Sequence, residues 1–194
     1  MGSEMCIRDS CMIELNQKDA RRIGRGSFSD VYRSRDNRVF KVYKQSLITG
    51  GITSDAVQEL SALRSLSHPN VLKLLNVHQV KDGGLVAELE SLQGSLDQFC
   101  STDYLLENEK RLLVMFDVAS GLEYLHSKRV LHRDLKPANV LVDDCLRAKI
   151  ADFGQTRPWI PGRANTLDVC TPLYSACLLY TSYAADEEER LDLG

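Results

Sequence analysis

No stretch of this 194-residue chain approaches the roughly 18 consecutive apolar residues that a membrane-spanning helix needs, and no secretory leader is visible. Paired cysteines are also missing. The six cysteines occur singly, without C-x-x-C spacing, which argues against zinc sites and disulfides and for free thiols in a reducing, cytoplasmic setting. Charge of one sign is not in excess: the formal net charge is −3, and nothing in that balance calls for a nucleic-acid partner. With 43% apolar and 26% charged residues, the composition is that of a soluble globular protein of one or two small domains.

The two ends read unlike the rest. Residues 5–10 spell MCIRDS and residues 177–182 spell CLLYTS. A back-translation of the first, read as its reverse complement one base in, encodes the second. One short duplex read outward therefore yields both, and it resembles a transposon-end adapter used in sequencing-library preparation. Residues 1–10 and 177–194 are accordingly expected to be adapter-like scars, outside the fold. The first ten residues carry net −1 and the last eighteen net −4, so residues 11–176 carry +2. The acidic C-terminal run is thus not read as an interaction tail.

The chemistry concentrates in HRDLKPANVLV, residues 132–142, followed by D-F-G at 152–154. Asp134 can take a proton from a hydroxyl. Asn139 and Asp152 offer hard oxygens to Mg²⁺. Lys136 adds a fixed positive charge where a phosphoryl group would sit. Upstream, residues 20–44 read as strand, glycine turn, strand, turn, strand. GRGSFSDVY at 24–32 has the form G-x-G-x-x-S-x-V, in which Gly24 and Gly26 permit close backbone approaches. RVFKVYK at 38–44 is an apolar strand carrying two candidate cations, Lys41 and Lys44.

Residues 53–70 read as a helix that Thr53, Ser54 or Asp55 can cap, with Val57, Leu60, Leu63 and Leu66 on its apolar side. His68-Pro69-Asn70 ends it, and His68 is read as structural. Residues 71–80 and 84–89 read as two further strands. SLDQF opens a short helix, and 108–128 form a long one, whose Leu112, Met115, Phe116, Ala119, Leu122 and Leu125 predict a broad core face. His126 is expected at a cap or in solvent. The segment after Gly154 is polar and punctuated by proline and glycine, as a surface loop is.

Taken together, H-R-D-L-x-x-x-N, the D-F-G whose aspartate follows Asp134 by 18 positions, the upstream glycine turn and the E-L-x-x-L-x-x-L-x-H-P-N frame resemble the eukaryotic protein kinases. The resemblance covers about residues 20–176. It implies an α+β, two-lobed protein-kinase-like fold, with a β-rich N-lobe at 11–87, a hinge at 88–94 and a partly present helical C-lobe at 95–176. It implies transfer of the γ-phosphate of Mg·ATP to a protein hydroxyl. Nucleotide contacts are expected from Gly24, Arg25, Gly26, Ser27, Val31, Val39, Lys41, Ala87, Glu88, Glu90 and Leu141, with the last acidic pair acting through backbone groups. Lys41, favoured over Lys44 by motif register, would hold the α- and β-phosphates and be held by Glu59. Asp134 would be the base, Lys136 the phosphoryl-stabilising cation, and Asn139 and Asp152 the Mg²⁺ ligands. Phe153 and His132 would be packing elements.

CTPLYSA at 170–176 resembles the G-T-x-x-Y-x-A preceding the family's A-P-E, with Cys170 for glycine and the match ending at Ala176. Thr171 would help form the acceptor site. Thr166 is the candidate for activating phosphorylation, with Arg133 as its charge partner, unless both threonines are ordinary loop residues. Ser29 stands where the family has its third loop glycine. Lys136-Pro137 resembles the serine/threonine kinases. A nucleotide-binding pseudokinase or scaffold is the alternative reading. With the C-lobe incomplete, residues 1–194 alone are expected to expose apolar surface on helix 108–128 and to show little activity.

Overall fold

The computed structural model describes residues 20–44, 52–80, 84–100 and 108–159, which fall into two compact units. Among the described residues, 20–44, 52–57, 74–80 and 84–91 form one unit, and 58–73, 92–100 and 108–159 form the other. The chain is α+β, and no helix of the described residues is long and apolar enough to cross a membrane.

The first unit is built on a five-stranded sheet of β1 (Ala20–Arg25), β2 (Ser29–Ser34), β3 (Val39–Tyr43), β4 (Leu74–Gln79) and β5 (Leu85–Leu89), in the order β1-β2-β3-β5-β4. All its pairings are antiparallel. β-Branched and aromatic residues dominate β3, where Val39, Phe40 and Tyr43 are buried, and Val86, Ala87 and Leu89 of β5 are buried beside them. The β2–β3 turn carries Asn37 at φ 63°, a conformation asparagine tolerates well.

Helix α1 (Ser54–Ser65) starts where Thr53 Oγ1 accepts from the Ala56 amide at 3.3 Å, which selects Thr53 among the three possible caps. Its buried side is Ala56, Glu59, Leu60 and Leu63, whereas Val57 is 51% exposed. The expected spacing of three residues drifts around the helix, and the true stripe follows the 3.6-residue period through Ala56.

Residues 58–73 precede β4 in sequence yet group with the second unit. Bonding explains it. The Leu72 amide donates to Ile150 O and the Ile150 amide to Asn70 O, both at 2.9 Å, and Asn70 Nδ2 donates to Ala148 O at 3.0 Å. His68 stacks on Tyr124 with ring centroids 4.8 Å apart, and its Nδ1 accepts from the Asn70 amide, so it is structural.

The second unit holds β6 (Gly94–Ser95), α2 (Leu96–Cys100), α3 (Asn108–Ser127), β7 (Val130–Leu131), β8 (Val140–Val142), β9 (Ala148–Ile150) and β10 (Arg157–Pro158). β6, β8 and β9 form one small sheet, and β10 pairs with β7. Its core joins Val114, Val140, Val142 and Ala148 to the half-buried Leu96, Phe99, Val118 and Leu135.

The core face expected for α3 is corrected in part. Leu125 is buried, but Leu112, Met115 and Phe116 are 64%, 66% and 71% exposed. The buried stripe is Val114, Asp117, Gly121 and Leu125. Two of these four positions are an acid and a glycine, which no hydrophobicity pattern counts. Gly121 is there for space: a Cβ would lie 2.7 Å from Asn70 O and 2.9 Å from Ile150 Cδ1.

Candidate functional site

The first unit arranges its candidates by strand register. Val31 faces Lys41 across β2–β3, and Lys41 faces Ala87 across β3–β5, so the three share one row of the sheet. Arg33, Val39 and Leu89 form the row two residues on, which places Val39 on the same face. That face is continuous from β2 to β5. Glu88 sits on the other face, where its Oε2 lies 3.0 Å from His78 Nε2 and its Oε1 lies 3.7 Å from the Arg38 guanidinium. The Glu88 side chain is thus engaged on the face away from the Val31–Lys41–Ala87 row. Glu90 follows β5 immediately and is half-buried.

The two candidate lysines part company. Lys44 Nζ donates to Gly26 O at 2.7 Å and lies 3.3 Å from Asp30 Oδ1, fastening the end of β3 to the glycine turn. Lys41 Nζ lies 5.7 Å from the centre of the Tyr43 ring. Gly24 and Arg25 end β1, and Gly26 and Ser27 make the turn, closed by the Gly26 amide to Ser29 O at 2.8 Å. A Cβ on Gly26 would meet Ser29 O at 3.2 Å, whereas one on Gly24 would make only ordinary contact with Val31, at 3.5 Å. Glu59, on α1, is 4% exposed, an unusual depth for a carboxylate.

The second unit gathers most of the chemistry in one loop. Lys136 Nζ lies 2.7 Å from Asp134 Oδ2. Asn139, in the short 3₁₀ turn Pro137–Asn139, donates from Nδ2 to Asp134 O at 2.7 Å and to Asp134 Oδ2 at 3.0 Å. Its amide nitrogen is therefore committed, and its carbonyl oxygen is the atom left for a hard cation. The Ala151 amide donates to Asn139 O at 2.8 Å, which brings the residue before Asp152 against Asn139. An Asn carbonyl and an Asp carboxylate are oxygen donors of the kind Mg²⁺ takes, an ion that keeps water and phosphate oxygens as its other ligands.

His132 is buried, and both ring nitrogens are used. Nε2 lies 2.9 Å from Ala151 O and must donate; Nδ1, 3.3 Å from the Asp134 amide, must accept. That is the neutral tautomer. Burial pushes the His132 pKa below its usual 6.5, against the bond to Ala151 O and the nearby carboxylates of Asp152 and Asp134, which favour the charged form. Phe153, fully buried, meets the ring edge-on at 5.3 Å. His132 thus ties the loop at 132–139 to the segment at 151–153.

Two non-glycine residues here hold left-handed backbone, Arg133 at φ 69° and Asp152 at φ 62°. Each costs on the order of 1–2 kcal/mol, sustained by the bonded segments around it. Sequence reading missed this strain, which no residue type announces. It also missed Asp117, whose buried carboxylate bonds Arg147 and the Ala148 amide. An acid at a core-facing helical position was the available signal. Leu141 of β8 faces Lys149 and Ser95 in the small sheet. Thr166 and Thr171 lie outside the described residues.

A glycine-turn sheet presenting a lysine, and a loop in which an aspartate is fixed by a lysine and an asparagine, are the parts of a phosphate-transferring enzyme. A family model described as the protein kinase domain matches residues 17–187. The chain belongs to the protein kinase domain family, and its class is that of a phosphotransferring kinase.

Proposed function

We propose that the protein transfers the γ-phosphoryl group of Mg·ATP to a serine or threonine hydroxyl of a protein substrate. The observation that carries this is the Asp134 carboxylate, whose Oδ2 is held by Lys136 at 2.7 Å and by Asn139 at 3.0 Å. An acceptor hydroxyl meets a base already oriented, beside a cation able to neutralise the moving phosphoryl group. Asp134 takes the proton as the oxygen–phosphorus bond forms, and the bridging oxygen leaves with ADP. Asn139 and Asp152 hold magnesium, which when bound neutralises charge on the phosphates.

In the same reading Lys41 holds the α- and β-phosphates and Glu59 holds Lys41. The turn at Gly24, Arg25, Gly26 and Ser27 covers the phosphates. Val31, Val39, Ala87 and Leu141 line the base, and the backbones of Glu88 and Glu90 bond it. Arg133 is the partner for a phosphorylated Thr166, and Thr171 flanks the acceptor. Lys136 followed by Pro137 supports a serine/threonine acceptor, because tyrosine kinases usually carry alanine and arginine there. Single cysteines, including the exposed thiol of Cys145, suit a reducing cytoplasm.

The test is phosphoamino-acid analysis after incubation of a form of the protein longer than residues 1–194, which alone are expected to transfer little, with γ-labelled ATP and a protein acceptor. Label on serine or threonine is expected. Label on tyrosine alone overturns the acceptor assignment. Nucleotide-induced thermal stabilisation without transfer by any form favours a binding module.

A further inference from the structure

We propose that Asp117 and Arg147 are positioning residues for Asp152: together they lock the register of β9 and so set where that carboxylate stands relative to Asn139. The inference rests on the reading of Asp152 and Asn139 as the magnesium ligands.

The backbone leading into Asp152 is bonded group by group. On the edge of β9 away from β8, the Ala148 amide donates to Asp117 Oδ2 at 2.9 Å and Ala148 O accepts from Asn70 Nδ2 at 3.0 Å. Ile150 uses its amide on Asn70 O and its carbonyl on the Leu72 amide, each at 2.9 Å. Ala151 follows, with its amide on Asn139 O at 2.8 Å and its carbonyl 2.9 Å from His132 Nε2. Asp117 is the one carboxylate in this series, and it is 1% exposed.

A buried acid on the packed stripe of a helix is expensive to desolvate, and packing alone does not call for one there. What the acid adds is a unique address. Arg147 Nε donates to Oδ2 at 2.8 Å and Nη2 to Oδ1 at 2.7 Å, while the next residue's amide bonds the same carboxylate. A side chain and the following backbone amide meet one carboxylate in a single register only. The β8–β9 pairing is three residues long, too short to resist a slip by itself, and a slip of one residue would reverse every side chain of β9 and carry Asp152 with it. Arg147 is held from its own side too, its amide bonding Asp143 Oδ1 at 2.9 Å. The Arg147 bonds and the Ala148 amide hold the Asp117 pKa below the ordinary carboxylate value in spite of burial, so the pair stays charged at neutral pH.

The readout is ATP affinity measured by calorimetry with Mg²⁺ and again in EDTA, in the wild type, Asp117→Leu, Arg147→Met and Asp152→Asn. Asp117→Leu is expected to fold and to lose tenfold or more of the Mg²⁺-dependent gain in affinity, with affinity in EDTA unchanged. Arg147→Met removes a largely exposed side chain and serves should Asp117→Leu fail to fold. It is expected to lose about threefold of the same gain. A merely structural pin would change the melting temperature and leave the ratio of the two affinities alone; that result in both variants overturns the proposal. If Asp152→Asn also leaves the ratio at its wild-type value, the metal reading falls and the proposal with it. If only Asp152→Asn lowers the ratio, the positioning role alone is refuted.

Discussion

The two units place functional side chains by different means. In the five-stranded sheet, Val31, Val39, Lys41 and Ala87 share a face because antiparallel register repeats, and each strand is held by backbone ladders on its neighbours. In the second unit, Asp134, Asn139 and the approach to Asp152 are placed by side chains bonding backbone: His132 to Ala151 O, Asn139 to Asp134 O, Asn70 to Ala148 O and Asp117 to the Ala148 amide. Ladder placement tolerates substitution at any one position. Placement by single buried bonds does not, since each lost partner strands a desolvated group.

The sharpest break of the comparison within the sheet is between its two lysines. Lys41→Met is expected to weaken ATP binding about tenfold to a hundredfold, the worth of one charge-assisted bond, while Lys44→Met changes it little. Equal effects, measured by calorimetry, would show that register does not select the phosphate-binding cation.

Next in size is a pair of glycines, one in each unit. Gly121→Ala drives a methyl against Asn70 O and Ile150 Cδ1, at 2.7 and 2.9 Å, and is expected to cost about 1–3 kcal/mol in urea unfolding. Gly24→Ala meets only Val31, at 3.5 Å, and should stay within about 0.5 kcal/mol.

Acid separates His132 and Asp117 of the second unit. The folded pKa of His132 lies below 6.5, so the unfolded chain takes up its proton first. Stability is full above pH 6.5, declines as pH falls below it and levels off below the folded value. The folded Asp117 pKa lies below 3.8, and its contribution, present above that pH, is lost only as pH drops further. Urea midpoints across pH 3–7 should show the first decline, and His132→Asn should remove it. A decline unchanged in that variant would assign the effect elsewhere. The smallest expected change is at the exposed face of α3: Phe116→Ser should alter stability by no more than about 0.5 kcal/mol, while lowering self-association in light scattering.

This contrast also accounts for what sequence reading reached. Strands β1 to β5, the start of α1 and the span of α3 were legible because alternation, glycine turns and capping residues are local signals, whereas α1 ends at Ser65, five residues short of the expected stop. The loop at 132–139 was legible as a motif. The stripe of α3 was misread, because Asp117 and Gly121 face the core for reasons of bonding and clearance that hydrophobicity does not encode. The left-handed backbone at Asp152 and the short β7–β10 pair were invisible for the same reason: both are set by residues distant in sequence. Where polar atoms do the placing, composition and periodicity are silent.

The most direct measurement is quantified transfer of the γ-phosphate label to a protein acceptor by the wild type and by Asp134→Ala, each saturated with Mg·ATP. Loss of transfer by about 10²–10⁴-fold, with nucleotide affinity retained, is the predicted result. Undiminished labelling in the variant would contradict the role assigned to that carboxylate.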